Sequence, residues 1–225
     1  MAIPGELTVV DDVADAFARL VVDAFRSRVG DTFSIALSGG ETARSCYECL
    51  AASAGNQIDW WKVEVYWGDE RCVPHDQEAS NYRLAREALL DRVGAAHATH
   101  LMRCHEGPDP YQLRLGDLGR IDLVHLGLGP DGHTASLFPG SDALDADPGR
   151  LVAMNHDPTG VNPHQRMTLT LAGIARARLV VVTVAGAEKA DALAAVAAGD
   201  DLPAARIEAD QVVWLVDAAA ASKLP

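Results

Sequence analysis

The chain has 225 residues, 48% of them hydrophobic, which suits one folded domain over residues 1–225 and argues against a disordered chain. Its formal net charge of −13 excludes a general nucleic-acid binder but allows a small anionic ligand, if a few cations cluster at its site. No apolar run approaches the roughly 20 residues that span a bilayer and no signal peptide is evident, so we expect a cytoplasmic protein without membrane contact.

Helical and strand-like segments alternate along the chain. Apolar residues at helical spacing, as at positions 13, 17, 20, 21 and 25, indicate helices, and short β-rich runs indicate strands. In chain order the predicted elements are a helix at 13–29, a strand at 33–37, a helix at 42–52, a strand at 63–67, a helix at 81–92, an irregular segment at 94–119, strands at 121–126, 151–155, 167–171 and 179–184, a helix at 187–198 and a strand at 212–216.

This alternation is typical of an α/β fold with three layers, in which a mostly parallel twisted sheet carries helices on both faces. In such folds the loops after the strands gather at one edge, and ligands bind outside the carboxyl ends of the strands. Four unusual loops follow predicted strands, so we expect them to meet. They are SGGET at 38–42, GDERCVP at 68–74, GLGPDGHTAS at 127–136 and AGAEK at 185–189.

Three of these loops carry groups that suit an anion. Paired glycines before a predicted helix let a phosphate approach the backbone N–H groups, although SGGET could equally be an ordinary turn capped by Thr42. Arg71 could bind an anion or an oxyanion, with Asp69 and Glu70 orienting it or holding hydroxyls, unless the three charges are only a solvated run. Lys189 is either an exposed lysine or a phosphate ligand in the first turn of a helix.

The segment LGLGPDGHTASLFPG, residues 126–140, carries the most chemistry. Its glycines match G-x-G-x-x-G, but Pro139 and Gly140 cut short the helix that a dinucleotide site needs. No serine-hydrolase elbow is present, and Asp131 and His133 lack an obvious third metal ligand. The segment is therefore either a turn with a surface histidine or a His133 that takes a proton from water beside a carboxylate.

Cysteines give no sign of a metal or redox site. Cys46 and Cys49 form a C-x-x-C inside a predicted helix, without the second pair of ligands that zinc would need. We therefore expect these two, together with Cys72 and Cys104, to be thiols in structural or incidental positions.

Together the loops resemble the 6-phosphogluconolactonase family, a branch of the glucosamine-6-phosphate deaminase/isomerase superfamily. The resemblance implies a modified Rossmann-like fold and hydrolysis of 6-phospho-D-glucono-1,5-lactone to 6-phospho-D-gluconate, the second step of the oxidative pentose phosphate pathway, without a cofactor or a metal. The segments that carry it are SGGET at 38–42, WGDERCVP at 67–74, SNY at 80–82, LGLGPDGHTASLFPG at 126–140, RMTLTL at 166–171 and GAEKADAL at 186–193.

The resemblance also implies roles for individual residues. His133 is expected to be the general base, Asp131 to orient it, and Arg71 to face the reacting end of the lactone. One departure is Glu41, which adds negative charge at the turn where the phosphate is expected. The residues expected to bind the substrate, chiefly its phosphate, are Gly39, Gly40, Thr42, Asp69, Arg166 and Lys189.

Two other functions compete with lactone hydrolysis. The glucosamine-6-phosphate deaminases carry a Glu in an N-E-P context shortly after the DGH motif, where this chain has Leu137, Phe138 and Pro139. A non-catalytic sugar-phosphate sensor would need a DNA-binding unit, for which we expect no room before the α/β pattern. Nothing in the sequence indicates the oligomeric state.

Overall fold

A computed structural model describes residues 3–225, which form one parallel and one antiparallel sheet with helices around them. The strands are β1 (Glu6–Val9), β2 (Phe33–Leu37), β3 (Val63–Trp67), β4 (Asp69–Arg71), β5 (Ala98–Thr99), β6 (Ile121–Gly127), β7 (Val152–Asn155), β8 (Arg166–Leu169), β9 (Ala177–Val184) and β10 (Gln211–Val216). The α-helices are α1 (Val13–Arg26), α2 (Glu41–Cys49), α3 (Asn81–Ala85), α4 (Asp109–Leu118), α5 (Leu171–Ile174) and α6 (Ala190–Ala198).

Shorter helical turns extend or connect these elements. Both α2 and α3 continue as one π-helical turn, Leu50–Ala54 and Arg86–Leu90 respectively. The 3-10 turns are Gly55–Gln57, Trp60–Lys62, Cys104–Glu106, Asp142–Asp145, Ala187–Lys189, Pro203–Arg206 and Ala220–Lys223.

The large sheet has seven strands in the order β1-β10-β9-β6-β2-β3-β5, and each neighbouring pair is parallel. The small sheet is antiparallel, in the order β4-β8-β7. Gly68 joins the two sheets, because its N–H donates to Leu37 O and its carbonyl accepts the N–H of Leu169, both at 2.8 Å. The predicted α/β fold with a mostly parallel sheet is confirmed.

Local sequence explains the long first helix. Asp12 caps α1 by accepting the N–H groups of Ala14 and Asp15. Phe17 and Val21 lie on its apolar face and are buried, as the helical spacing predicts. The helix contacts α2 and strands β6, β9 and β10. It ends at Arg26, three residues before the predicted end.

The segment 94–119 is more regular than predicted, because α4 occupies its second half. Pro110 is the second residue of this helix. A proline there disrupts no helical hydrogen bond, since the first N–H groups of a helix have no partner within it. Strands β1, β4 and β5 were not predicted either. The last two have only three and two residues, and β1 is a mostly exposed strand at the edge of the sheet.

The prediction of four free thiols is wrong for two of them. Cys72 and Cys104 form a disulfide across a sequence separation of 32 residues. Their pairing depends on the packing of two distant loops, which sequence spacing does not reveal. Cys46 and Cys49 are free. Burial raises the pKa of the Cys46 thiol to about 12, so this residue lacks the thiolate that redox and metal chemistry require.

Reduction of the Cys72–Cys104 disulfide is expected to destabilise the fold, because the bond restricts the unfolded chain. For a loop of this length the free energy of unfolding should fall by about 4 kcal/mol. Thermal unfolding with and without dithiothreitol measures the change. The Cys72→Ser/Cys104→Ser double variant is the control, and an equal response of that variant to the reductant would show that the disulfide is not the cause.

Candidate active site

A cleft lies at the carboxyl edge of the large sheet, where β2, β3, β6 and β9 end beside one another. All four loops predicted to meet there contribute to its wall. Asp131 lies behind His133 rather than in the wall. The other eight residues predicted from sequence line the cleft: Gly39, Gly40, Thr42, Asp69, Arg71, His133, Arg166 and Lys189.

Asp131 orients the side chain of His133. Its Oδ1 lies 2.5 Å from His133 Nδ1 and also accepts the backbone N–H of His133 at 3.2 Å. Burial raises the pKa of Asp131, but the hydrogen bond and charge of His133 outweigh it, so that the net shift is downward. An imidazole whose Nδ1–H donates to a carboxylate presents Nε2 as a proton acceptor. The pair therefore has the arrangement of a base held in one tautomer.

Gly129 makes room for this pair. A Cβ at position 129 would lie 2.0 Å from His133 Nδ1 and 2.6 Å from Asp131 Oδ1. The N–H of Gly129 donates to His133 O at 2.8 Å, which closes the loop. Gly129, which belongs to the G-x-G-x-x-G match in the sequence, thus leaves space for the Asp131 and His133 side chains to pack against the backbone.

Buried hydrogen bonds fix the rest of the loop. Ser136 Oγ donates to Asp69 Oδ2 at 2.5 Å, and Asn155 Nδ2 donates to Ser136 O at 2.7 Å. Thr134 Oγ1 donates to Gly127 O at 2.9 Å. Neither Ser136 nor Asn155 could be identified from sequence, because each acts through partners far away in the chain.

Strand β4 places its three charged residues on two faces. Side chains alternate along a strand, so Asp69 and Arg71 line the cleft while Glu70 points away from it. The Glu70 carboxylate accepts hydrogen bonds from the Ser80 hydroxyl and from the backbone N–H groups of Asn81 and Tyr82, at 2.7–3.0 Å. Burial raises the pKa of Glu70, although these bonds favour the carboxylate. Glu70 therefore caps α3, and only Asp69 and Arg71 can meet a ligand.

Arg71 and Arg166 lie in register on adjacent strands β4 and β8. Arg71 Nη1 donates to Ala79 O at 2.9 Å, but within residues 3–225 the buried Nε atoms of both arginines have no hydrogen-bond partner. Burial lowers the pKa of Arg166; the charge of Asp69 opposes this shift and that of Arg71 adds to it. Two neighbouring, partly desolvated cations with unused donors are an arrangement that a bound anion would stabilise.

The glycine turn after β2 fits closely against α3. A Cβ at Gly39 would lie 1.9 Å from Asn81 Oδ1, so the close approach requires glycine. Gly40 has φ +98° and occupies the N-cap position of α2, where no side chain caps the helix. Thr42 is thus not the cap. Glu41, whose charge we expected near this turn, also lines the cleft but is exposed.

Lys189 reaches the cleft from the loop after β9. Within this loop Gly186 has φ +100° and donates its N–H to Asp217 Oδ2 at 2.9 Å. Lys189 ends the following 3-10 turn and is the N-cap residue of α6, just ahead of the first turn in which it was predicted. Its side chain is half-buried.

Two broader properties of residues 3–225 bear on the class of site. In that range no group of three or more His, Cys, Asp and Glu side chains is arranged to hold a metal ion. Over the same residues no helix is long and apolar enough to cross a membrane.

Comparison with known sequences identifies the relatives of this chain. The profile of the glucosamine-6-phosphate isomerases/6-phosphogluconolactonase family matches residues 6–214. A 6-phosphogluconolactonase of Synechocystis is 38% identical in an alignment 210 positions long, which covers 85% of this chain and 84% of that protein. A 6-phosphogluconolactonase of Mycobacterium tuberculosis is 37% identical in an alignment 212 positions long, which covers 85% of each chain.

Solved structures agree with the sequence relatives. The 6-phosphogluconolactonase of Trypanosoma brucei is 28% identical with a TM-score of 0.82, over 99% of this chain and all of that one. A monomeric glucosamine-6-phosphate deaminase has a TM-score of 0.81 over 97% of this chain and 99% of its own, but only 17% identity. The second similarity concerns the fold alone.

Replacement of Gly129 by alanine is expected to break the hydrogen bond between His133 and Asp131, because the new methyl group would occupy its space. A proton in so short a bond to a carboxylate should resonate far downfield in the proton NMR spectrum, and His133→Gln assigns the signal. The signal should disappear in Gly129→Ala. It should persist in Gly116→Ala, where a Cβ meets nothing within 4 Å. Persistence in both variants would contradict the role of Gly129.

Proposed function

The chain belongs to the glucosamine-6-phosphate isomerase/6-phosphogluconolactonase family, and on that premise we propose that it hydrolyses 6-phospho-D-glucono-1,5-lactone to 6-phospho-D-gluconate in the oxidative pentose phosphate pathway. The observation that carries this function is the placement of a carboxylate-oriented imidazole and three cationic side chains in one cleft. The substrate has a reactive ester at one end and a phosphate dianion at the other, and the cleft offers groups suited to each.

His133 acts as the general base in this proposal. Its Nε2 removes a proton from water while the water oxygen attacks the lactone carbonyl carbon. Asp131 stabilises the imidazolium that forms. When the tetrahedral intermediate collapses, the ring C–O bond breaks and the same imidazolium returns the proton to the departing ring oxygen. A lactone is an activated ester, so the reaction needs no covalent intermediate and, in this proposal, no metal or cofactor.

Arg71 stabilises the negative charge that develops on the carbonyl oxygen. Its guanidinium lies in the cleft wall, where it can donate to an oxyanion. Asp69 already accepts hydrogen bonds from Ser136 and Asn81, which leaves it suited to hold a substrate hydroxyl rather than to neutralise Arg71.

The phosphate lies between the glycine turn and the loop after β9. Gly39, Gly40 and Thr42 offer backbone and hydroxyl donors at the uncapped start of α2. Arg166 and Lys189 supply positive charge. These contacts offset the repulsion that a chain with a net charge of −13 exerts on a dianion.

The sister reaction, deamination of glucosamine 6-phosphate, is less compatible with the cleft. Its enzymes resemble this chain but carry a Glu soon after the DGH motif. Leu137 and Phe138 occupy that stretch here, and both are buried apolar side chains. The charged relay of the deaminase therefore has no counterpart at these positions.

We further propose that the chain forms a single domain and works in the cytoplasm, on a small-molecule substrate and without nucleic acid or membrane partners. Disulfides are rare in that compartment, so the Cys72–Cys104 pair would be held there as two thiols. A core as extensive as this one does not need a covalent bond to remain folded.

The purified protein is expected to accelerate acid release from 6-phosphogluconolactone beyond the spontaneous rate, equally with and without EDTA. His133→Ala should lower kcat by about 10²- to 10⁴-fold, because it removes the base. Binding of 6-phosphogluconate, measured by calorimetry, should change far less. No acceleration by the wild type would refute the function. Loss of rate in EDTA would refute the metal-free step, and equal loss of binding would make His133 a binding residue.

Lys189→Met is expected to raise the KM for the lactone by about 10- to 100-fold with little change in kcat, because it removes a charge-assisted contact to phosphate. Steady-state kinetics measure both constants. Lys62→Met is the matched control, since Lys62 is exposed and precedes β3, at the edge of the sheet opposite the cleft. A fall in kcat at unchanged KM would place Lys189 at the reacting end instead.

A further inference from the structure

A buried histidine that the proposed reaction does not use lies directly beneath the cleft. His125 is on β6, the strand between β2 and β9, and it is fully buried. Its Nδ1 lies 2.9 Å from the hydroxyl of Tyr47, and its Nε2 lies 2.9 Å from Oγ1 of Thr183. Burial lowers the pKa of His125 to about 3, so the ring is neutral and one nitrogen donates while the other accepts.

Tyr47 carries the connection from His125 to the glycine turn. Its hydroxyl accepts the N–H of Ser38 at 2.7 Å and donates to Ser38 O at 3.2 Å. In either tautomer the neutral ring donates from one nitrogen and accepts at the other, so His125 links the Tyr47 hydroxyl to the Thr183 hydroxyl. Ser38 directly precedes Gly39. One side of this chain of hydrogen bonds therefore fixes the start of the turn that we assign to the phosphate.

Thr183 carries the connection to the opposite side of the phosphate site. It lies near the end of β9, it lines the cleft, and it comes three residues before Gly186, which begins the turn that presents Lys189. Four side chains or backbone groups thus form one continuous buried chain from β2 across β6 to β9. Tyr47 and His125, the two central members, are fully buried, so each depends on its neighbours in the chain for its hydrogen bonds.

We propose that His125 is a positioning residue for phosphate binding, which fixes the separation between the glycine turn and the Lys189 loop through Tyr47 and Thr183. This inference rests on the function proposed above. The two loops leave β2 and β9, which are not neighbours in the sheet, so the intervening strand must determine how far apart they lie. A phosphate held by both loops is sensitive to that distance, whereas the base on loop 126–140 is anchored separately through Ser136 and Asn155.

Tyr47→Phe is the sharpest test, because it removes one hydroxyl from a fully buried ring that does not line the cleft. The chain offers a matched control in Tyr111, whose hydroxyl accepts the N–H of Trp67 at 2.7 Å and donates to Trp67 O at 3.0 Å. Tyr111 therefore binds the end of β3 as Tyr47 binds the end of β2, without a link to His125 or Thr183.

The dissociation constants for inorganic phosphate and 6-phosphogluconate are measured by calorimetry, with kcat and KM for the lactone. Tyr47→Phe should raise both dissociation constants and KM about tenfold and leave kcat within about twofold, as loss of one buried hydrogen bond on the binding side predicts. His125→Leu should do the same or more. The double variant should bind phosphate no less tightly than His125→Leu alone, because both changes break the same chain of hydrogen bonds. Tyr111→Phe should leave phosphate affinity within about twofold of the wild type.

Unchanged phosphate affinity in both Tyr47→Phe and His125→Leu would overturn the inference. The inference would also be overturned if Tyr47→Phe and Tyr111→Phe both lowered kcat and phosphate affinity to a similar extent. That result would indicate a general loosening of the sheet. If His125→Leu does not fold, Tyr47→Phe decides the question. A wild-type protein without lactonase activity would refute the proposed function instead, and binding of inorganic phosphate would still test the positioning role.

Discussion

The loops that form the cleft meet because β2, β3, β6 and β9 run parallel and end at the same edge of the sheet. Residues more than 100 positions apart in the chain, such as Gly39 and Lys189, thereby line one cavity. Parallel strands require a connection that crosses back over the sheet, and those crossings are the helices that bury both faces. Loops at the carboxyl edge stay at the surface, where their polar backbone groups are not buried without partners.

The second, antiparallel sheet supplies two of the cationic side chains that line the cleft. Beyond Gly68 the chain enters this second sheet, and the register of the β4–β8 pair sets Arg71 beside Arg166. Two cations side by side repel each other and lose hydration. A bound anion would offset both costs, so the pair favours anion binding. In a chain that is acidic overall, this concentration of positive charge is what makes a sugar-phosphate ligand compatible with the cleft.

The residues proposed for proton transfer and those proposed for phosphate binding are held in place by different contacts. His133, the proposed base, lies on a loop whose shape depends on glycine at 129 and on hydrogen bonds from Ser136 and Asn155. Most of the residues proposed to bind phosphate lie on two other loops, which the His125 hydrogen bonds connect. Because the two parts are held by different contacts, a change in one can alter affinity or rate independently of the other.

Sequence by itself determined the fold class and most of the strands and helices, because these follow from hydrophobic periodicity. Of the eight predicted residues that line the cleft, seven lie on unusual loops after predicted strands, and Arg166 was implied only by the family resemblance. Tertiary structure alone decided that Glu70 caps a helix while its neighbours face the cleft, that Cys72 pairs with Cys104, and that His125 joins two loops. Each of these depends on a partner distant in the chain. The physical reason is that a hydrogen bond or a disulfide is specified by position in space, whereas periodicity records only whether a residue faces the core.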